Sequence, residues 1–177
     1  IEMQTSTAYW APDGKITVWT STQGSFNARD QIAGVLNLLP SQIKVIPMEI
    51  GGGFGGKIPI YLEPPAAVLS RKIGRPVRLS MNRKDVFEAS GPGAGAVIGM
   101  KIGVDASGKI IAASGDLKYE AGAYPGSPVA AGAECCFSAY NIPNVRIDGF
   151  DIVVTKPKTA AYRAPGSTHV AYGVESV

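Results

Sequence analysis

The run Gly51-Gly52-Gly53-Phe54-Gly55-Gly56-Lys57 sets five glycines around one aromatic, directly after a strand-like segment. Glycine offers nothing to pack and costs backbone entropy, so this density implies positive φ angles or very close approach of the backbone to a ligand. Such a loop can gather main-chain N–H groups into a concave cluster suited to phosphate or oxo groups. Phe54 in its middle and Lys57 at its end tell against a slack connector. Gly51, Gly53 and Gly56 satisfy a dinucleotide fingerprint, but that motif needs an acidic residue about 20 positions further on. Arg75, Pro76 and Val77 stand there, with no acid until Asp85. A phosphate-binding P-loop also matches through Gly51, Gly56 and Lys57. It fails at Ile58, where a hydroxyl should meet magnesium, and at Pro59, which prevents a clean helix start.

The elements that must hold this loop are legible from periodicity. Asp13-Gly14 separates two alternating runs and reads as a hairpin turn. Ser25 reads as the cap of a helix carrying Ala28, Ile32, Val35, Leu36 and Leu39, stopped by Pro40. Residues 43–50 alternate as a strand and deliver the chain to the glycine loop. A helix over 61–72 starts near Pro64-Pro65 and ends at Gly74, followed by a strand over 76–80. Residues 97–104 and 109–117 flank a second hairpin turn at Asp105-Gly108. Ser127-Pro128 opens a helix through Cys136, residues 150–155 form a strand, and Ser167 caps a last helix with Val170, Ala171 and Val174. The pattern is α+β: a mixed, mostly antiparallel sheet with several short helices, read as a single region over 1–177.

Composition bounds the rest. A 177-residue chain with 45% hydrophobic residues and a net charge of +3 is ordinary globular material. No apolar run approaches a membrane span. The chain opens on Ile1, with no basic-plus-apolar leader behind it, and is expected to be an inner piece of a longer polypeptide. Cys135 and Cys136 are adjacent, poorly placed for an unstrained disulfide, and read as small buried hydrophobes of a reducing, cytoplasmic compartment. With one histidine, His169, and no spaced Cys/His cluster, side chains of this chain make no metal site by themselves. Arg71, Lys72, Arg75, Arg78, Arg83 and Lys84 cluster, but without interleaved aromatics they read as a solvated rim and not as a nucleic-acid surface. Met48, Met81 and Met100 read as core fillers, and His169 as a packed or solvent-facing residue at a helix start.

GGGFGGK resembles the molybdenum-binding large subunit of the xanthine dehydrogenase/aldehyde oxidase family when it is taken with further matches. These are Gln23 thirty-one residues before Phe54, the GRPVR segment 74–78, the YNIPNV segment 140–145 and the Ala161-Tyr162-Arg163-Ala164-Pro165-Gly166 turn. The resemblance runs from near residue 16 to Val177. It implies an enzyme that oxidises aldehydes or N-heterocycles with water as oxygen source. The cofactor would be molybdenum–molybdopterin, its tail left open between the plain and cytosine dinucleotide forms. Electrons would leave through 2Fe-2S centres to FAD on other domains or subunits. By the same resemblance Gln23, Gly53, Phe54, Gly55 and Gly56, and Ala161, Tyr162, Arg163 and Ala164, hold the cofactor. Phe54, Ile58 and Pro165 line the substrate pocket. The physical chemistry agrees: a neutral amide donates to an oxo group without adding charge, and preorganised N–H groups stabilise developing negative charge.

Departures narrow the substrate. Ile58 stands where the purine-hydroxylating branch has a glutamate, and Ala130 to Ala133 offer no second purine-binding arginine, so xanthine is a poor candidate. Ala164 replaces the cysteine of copper-containing carbon monoxide dehydrogenases, and His169 replaces a glutamine that meets the pterin. No catalytic residue is expected within these residues, because the family's general-base glutamate lies on a segment beyond Val177. The chain alone is then expected to be inactive, with the rest of the large subunit, iron–sulfur and flavin partners and a small-molecule substrate completing it. The rival readings are a nucleotide-binding module on the glycine loop and a scaffold that has lost the cofactor.

Overall fold

The computed structural model describes residues 2–177 and divides into two compact units, the first ending at Ser90 and the second beginning at Gly91. The stretch read as one region thus contains two sheets, each with its own core.

In the first unit, β1 (Thr5–Trp10) and β2 (Ile16–Thr20) form the antiparallel hairpin. Gly14 takes the turn at φ +84°, and Asp13 Oδ1 accepts from Lys15 N at 3.0 Å. Helix α1 (Ser25–Leu36) then crosses over to β3 (Ile43–Pro47), which pairs in parallel with β2. Ser25 is the first helical residue and not the cap. Gly24 occupies the cap position, its N–H bonded to Thr22 Oγ1 at 3.2 Å. The helix ends earlier than Pro40 because Asn37 turns left-handed at φ 53°, which leaves Leu39 exposed. Strand β3 stops at Pro47, three residues short of expectation, where its pairing with Thr20 ends. After the glycine loop come α2 (Glu63–Ile73), β4 (Val77–Ser80) and α3 (Arg83–Ala89). The sheet order is β3-β2-β1-β4. Ala8, Ile16, Val18, Ile32, Ile43, Ala66 and Ala67 make the core between this sheet and α1 and α2.

Two buried polar groups hold the first unit together. Ser70 accepts from Trp10 N at 2.9 Å and donates to Arg75 O at 2.7 Å. Glu63, also buried, accepts from Thr20 Oγ1 at 2.7 Å and Tyr61 N at 2.8 Å, which ties the end of β2 to the start of α2. Satisfied in this way, neither carries the penalty of an unpaired buried group. The six clustered basic residues are all exposed, Arg71 lying 4.7 Å over the Trp10 ring.

The second unit repeats the order strand, strand, helix, strand. Strands β5 (Ala96–Val104) and β6 (Ile110–Gly122) form a hairpin turned at Gly108. Helix α4 (Val129–Cys135) leads to β7 (Val145–Val153), parallel to β6, and α5 (Ser167–Val174) closes the unit. Strand β7 begins five residues before the expected start, because its register against β6 opens at Ala113–Val145. Among the described residues, three antiparallel and two parallel pairings make the strands mixed and mostly antiparallel. Leu117, Tyr119, Phe137, Val170 and Val174 form the second core. Cys136 is buried as expected, but Cys135 is exposed and accepts from Ser167 Oγ at 3.1 Å. Met81 is buried and Met100 packs on the second core. Met48 is exposed and fills nothing.

Candidate functional site

The glycine loop is held from three directions within the first unit. Gln23 follows β2, and its carboxamide oxygen accepts from Gly55 N at 2.8 Å and Lys57 N at 3.2 Å. The same two segments meet again through the main chain, Gln23 N donating to Lys57 O at 3.0 Å and Thr22 Oγ1 to the same oxygen at 3.3 Å. Gln4, ahead of β1, donates through Nε2 to Gly56 O at 3.3 Å. Glu2 accepts from Gly51 N at 2.9 Å and from the Lys57 ammonium.

This architecture explains the glycines one by one only where contact demands it. A Cβ at Gly53 would lie 2.5 Å from Gln23 Oε1, inside any real contact, so Gly53 is what lets Gln23 reach the loop. Gly52 sits at φ +113°, where a Cβ would also meet the Phe54 ring at 2.8 Å. Phe54 itself is left-handed at φ 52° and 43% exposed. A bulky residue in that region is uncommon and is held there by its surroundings. Gly55 and Gly56 continue the turn, Gly56 N donating to Gly53 O at 2.8 Å.

The loop is a less open amide cluster than its composition implied. The N–H groups of Gly51, Gly55, Gly56 and Lys57 all have internal acceptors, whereas those of Gly52, Gly53 and Phe54 bond to nothing among the described residues. Lys57 points inward with its side chain 2% exposed, so it reaches no phosphate. No helix follows it directly, since α2 begins only at Glu63. The P-loop reading therefore loses both its lysine and its helix. Ile58 is 40% exposed beside the loop. Gln23 Nε2 makes no hydrogen bond among the described residues, which leaves a fixed amide with its donor side unused.

The arginine turn belongs to the second unit. Ala160 N donates to Pro92 O at 2.9 Å, and Gly166 O accepts from the buried Tyr119 hydroxyl at 2.7 Å, which pins both ends of the stretch 161–165. Ala164 is left-handed at φ 58° and Gly166 at φ +78°. Tyr162, Arg163 and Ala164 are exposed, and the Arg163 guanidinium has no partner among the described residues. Pro165, Tyr162 and Gly166 line a cavity of about 310 Å³ with His169. His169 packs edge-on to Tyr119, ring centres 5.4 Å apart, and its Nδ1 is buried without a partner. Burial, with some help from the nearby cysteines, pushes the Tyr119 hydroxyl up to about 12. No group of three His, Cys, Asp or Glu side chains able to hold a metal ion occurs among the described residues.

The predicted site residues thus assemble in two places, Gln23 with Gly53–Gly56 and Ile58 in one unit, Ala161–Pro165 in the other. Glu2, Gln4 and Tyr119 complete them and carry no sequence signal, since their partners lie 47 to 55 positions away.

The fold is mixed α+β, and each unit carries its loop on main-chain and amide hydrogen bonds, with no group of metal-ligating side chains among the described residues. The chain belongs to the molybdopterin cofactor-binding domain family, whose model matches residues 1–177. It is 30% identical over 169 residues to the nicotinate dehydrogenase large molybdopterin subunit of Eubacterium barkeri, covering 94% of this chain and 40% of that protein. It is 28% identical over 167 residues to a probable xanthine dehydrogenase subunit of Bacillus subtilis, covering 93% and 22%. Among solved structures it is similar to the aldehyde oxidoreductase of Desulfovibrio gigas, with a TM-score of 0.87, 26% identity, and 95% and 19% coverage. Quinoline 2-oxidoreductase of Pseudomonas putida gives 0.85 at 25% identity, with 93% and 22% coverage. The chain therefore spans between about a fifth and two fifths of the length of these relatives.

Proposed function

We propose that this chain is the part of a molybdenum hydroxylase large subunit that orients a molybdenum–molybdopterin cofactor for oxidation of an aldehyde or N-heterocycle. When bound, that group supplies a two-electron redox centre using water as the oxygen source, and the protein supplies orientation. The observation that carries the reading is the Gln23 carboxamide: its oxygen is consumed by Gly55 and Lys57, and its nitrogen is left as a fixed donor. A neutral N–H donor held this way suits an electronegative atom of the group without adding charge. The unbonded amides of Gly52, Gly53 and Phe54 lie on the same loop, with Gly56 shaping its return.

Ala161, Tyr162, Arg163 and Ala164 hold the pterin side in this reading, Arg163 contributing a cation unpaired among the described residues. In the same reading Phe54 and Ile58 are assigned to the substrate from the first unit, and Pro165 from the second. The apolar Ile58 favours a substrate without a purine's hydrogen-bonding edge. The remainder of the large subunit carries the general base, 2Fe-2S and FAD partners take the electrons, and the setting is cytoplasmic. The cofactor tail is the cytosine dinucleotide or the plain form. The inward Lys57 weighs against nucleotide binding.

Full-length protein, expressed in a molybdenum-replete host, tests this. Molybdenum near one atom per chain with a pterin released on denaturation is the expected result. Protein free of both, or stabilised against heat by ATP, overturns it.

A further inference from the structure

We propose that Glu2 is a positioning residue for Gln23, acting through Lys57: its carboxylate closes the base of the glycine loop and fixes the main chain on which the Gln23 amide is mounted. The proposal rests on reading Gln23 as the cofactor-facing amide. Glu2 joins the two ends of the loop. Oε2 accepts from Gly51 N at the first residue and from the ammonium of Lys57 at the last, and Glu2 N donates to Gly51 O at 3.3 Å. The backbone is so close here that a Cβ on Gly51 would stand 3.0 Å from the Glu2 Cβ.

Lys57 is the node. Its side chain meets Glu2, while its main chain both donates to Gln23 Oε1 and accepts from Gln23 N. Glu2 is the one charged partner of the Lys57 ammonium among the described residues. The pair is asymmetric, the Lys57 side chain 2% exposed and that of Glu2 36%. A buried ammonium that loses its counter-charge is expensive, whereas a half-exposed carboxylate that loses its partner is rehydrated. Neutralising Glu2 should therefore disturb the loop more than neutralising Lys57, and removing the lysine should repair much of the damage.

Hydrogen exchange on the full-length protein reads this locally. In E2Q, the peptide spanning 48–60 should exchange about tenfold faster, a change of roughly 1.4 kcal/mol in opening. The peptide spanning 25–36 of α1 should be unchanged. K57M should loosen the loop less than E2Q, and E2Q/K57M should return to the K57M level. Unchanged loop protection in E2Q, or equal loosening of loop and α1, overturns the proposal. If E2Q cannot be recovered, recovery of E2Q/K57M supports it and failure of both overturns it. Molybdenum content is measured alongside. A metal-free wild type removes the cofactor reading, while the exchange data still decide the clamp.

Discussion

Gln23 uses one carboxamide oxygen for two main-chain donors, so the substitution chosen decides which of its jobs is lost. Gln23→Glu keeps an acceptor for both amides and removes the donor nitrogen. We expect it to hold loop exchange within about twofold of wild type while molybdenum content or turnover of the full-length protein falls at least tenfold. Gln23→Ala strips both amides of their acceptor and should cost about 1–3 kcal/mol in a denaturant melt. Gly53→Ala should match it, because the added methyl occupies the place of Gln23 Oε1, and the double variant should be little worse than either single one. An additive double variant would show that the two act separately. Acid tests the same loop. The Lys57 ammonium, as hydrogen-bond donor, leads the causes that hold the Glu2 carboxyl below its ordinary value of 4.5. A depressed carboxyl pKa stabilises the fold above the ordinary value, and that contribution is lost as pH falls through the folded one. Protection of the loop should decline below the usual carboxylate range in wild type, and the decline should be much weaker in K57M.

At the scale of elements, the turns and caps divide into those needing only a left-handed residue and those needing empty space as well. Gly74 ends α2 at φ +67° with open space where a Cβ would go, so Gly74→Ala should cost about 1–2 kcal/mol of strain. Gly166 opens α5 at φ +78°, and its Cβ would lie 2.4 Å from Pro128 O and 2.7 Å from Gly132 N. Gly166→Ala should cost more than about 3 kcal/mol by thermal melt, since strain and clash combine there. Equal costs at the two positions would refute the distinction. Tyr119 of β6 holds the same turn, and Tyr119→Phe should lose about 1 kcal/mol. Its hydroxyl titrates near 12 in the fold against an ordinary 10, so its contribution is whole below 10 and lost as pH rises through 12. The variant should lack that alkaline loss. These elements also mark what a sequence reader can see. Both hairpins and α2 are legible because Asp-Gly, Ser-Gly, Pro-Pro and Gly74 act locally. The end of β3 and start of β7 are not, because parallel pairing takes its register from a strand far off in sequence. Helix α3 escapes the periodicity although Asn82 and Asp85 form a reciprocal capping box. Gln23 is reached by resemblance to known spacing; Glu2 is not, because an ion pair across 55 positions leaves no pattern.

At the scale of the molecule, two cores of modest size leave much apolar surface open. Strand β7 lies at an edge of its sheet, bonded among the described residues only to β6, and runs nine residues. Val145, Phe150, Ile152 and Val153 on it are 46%, 47%, 38% and 53% exposed. A long edge with apolar side chains and unpaired main-chain groups is a template for another chain unless something covers it. The relatives are between about two and five times longer than this chain, so on the proposed reading of the chain as part of a large subunit the cover is the remainder of that subunit. Residues 1–177 expressed alone should then associate as concentration rises, seen as a growing sedimentation coefficient. Val145→Lys with Val153→Lys places charge at both ends of the edge and should shift the fragment toward monomer, because charged edges resist pairing. The same pair in the full-length protein should instead lower its melting temperature, since the two lysines would be forced under whatever covers β7. A fragment that stays monomeric at high concentration, together with a full-length variant of unchanged stability, would mean that β7 faces solvent throughout and that the missing cover lies elsewhere.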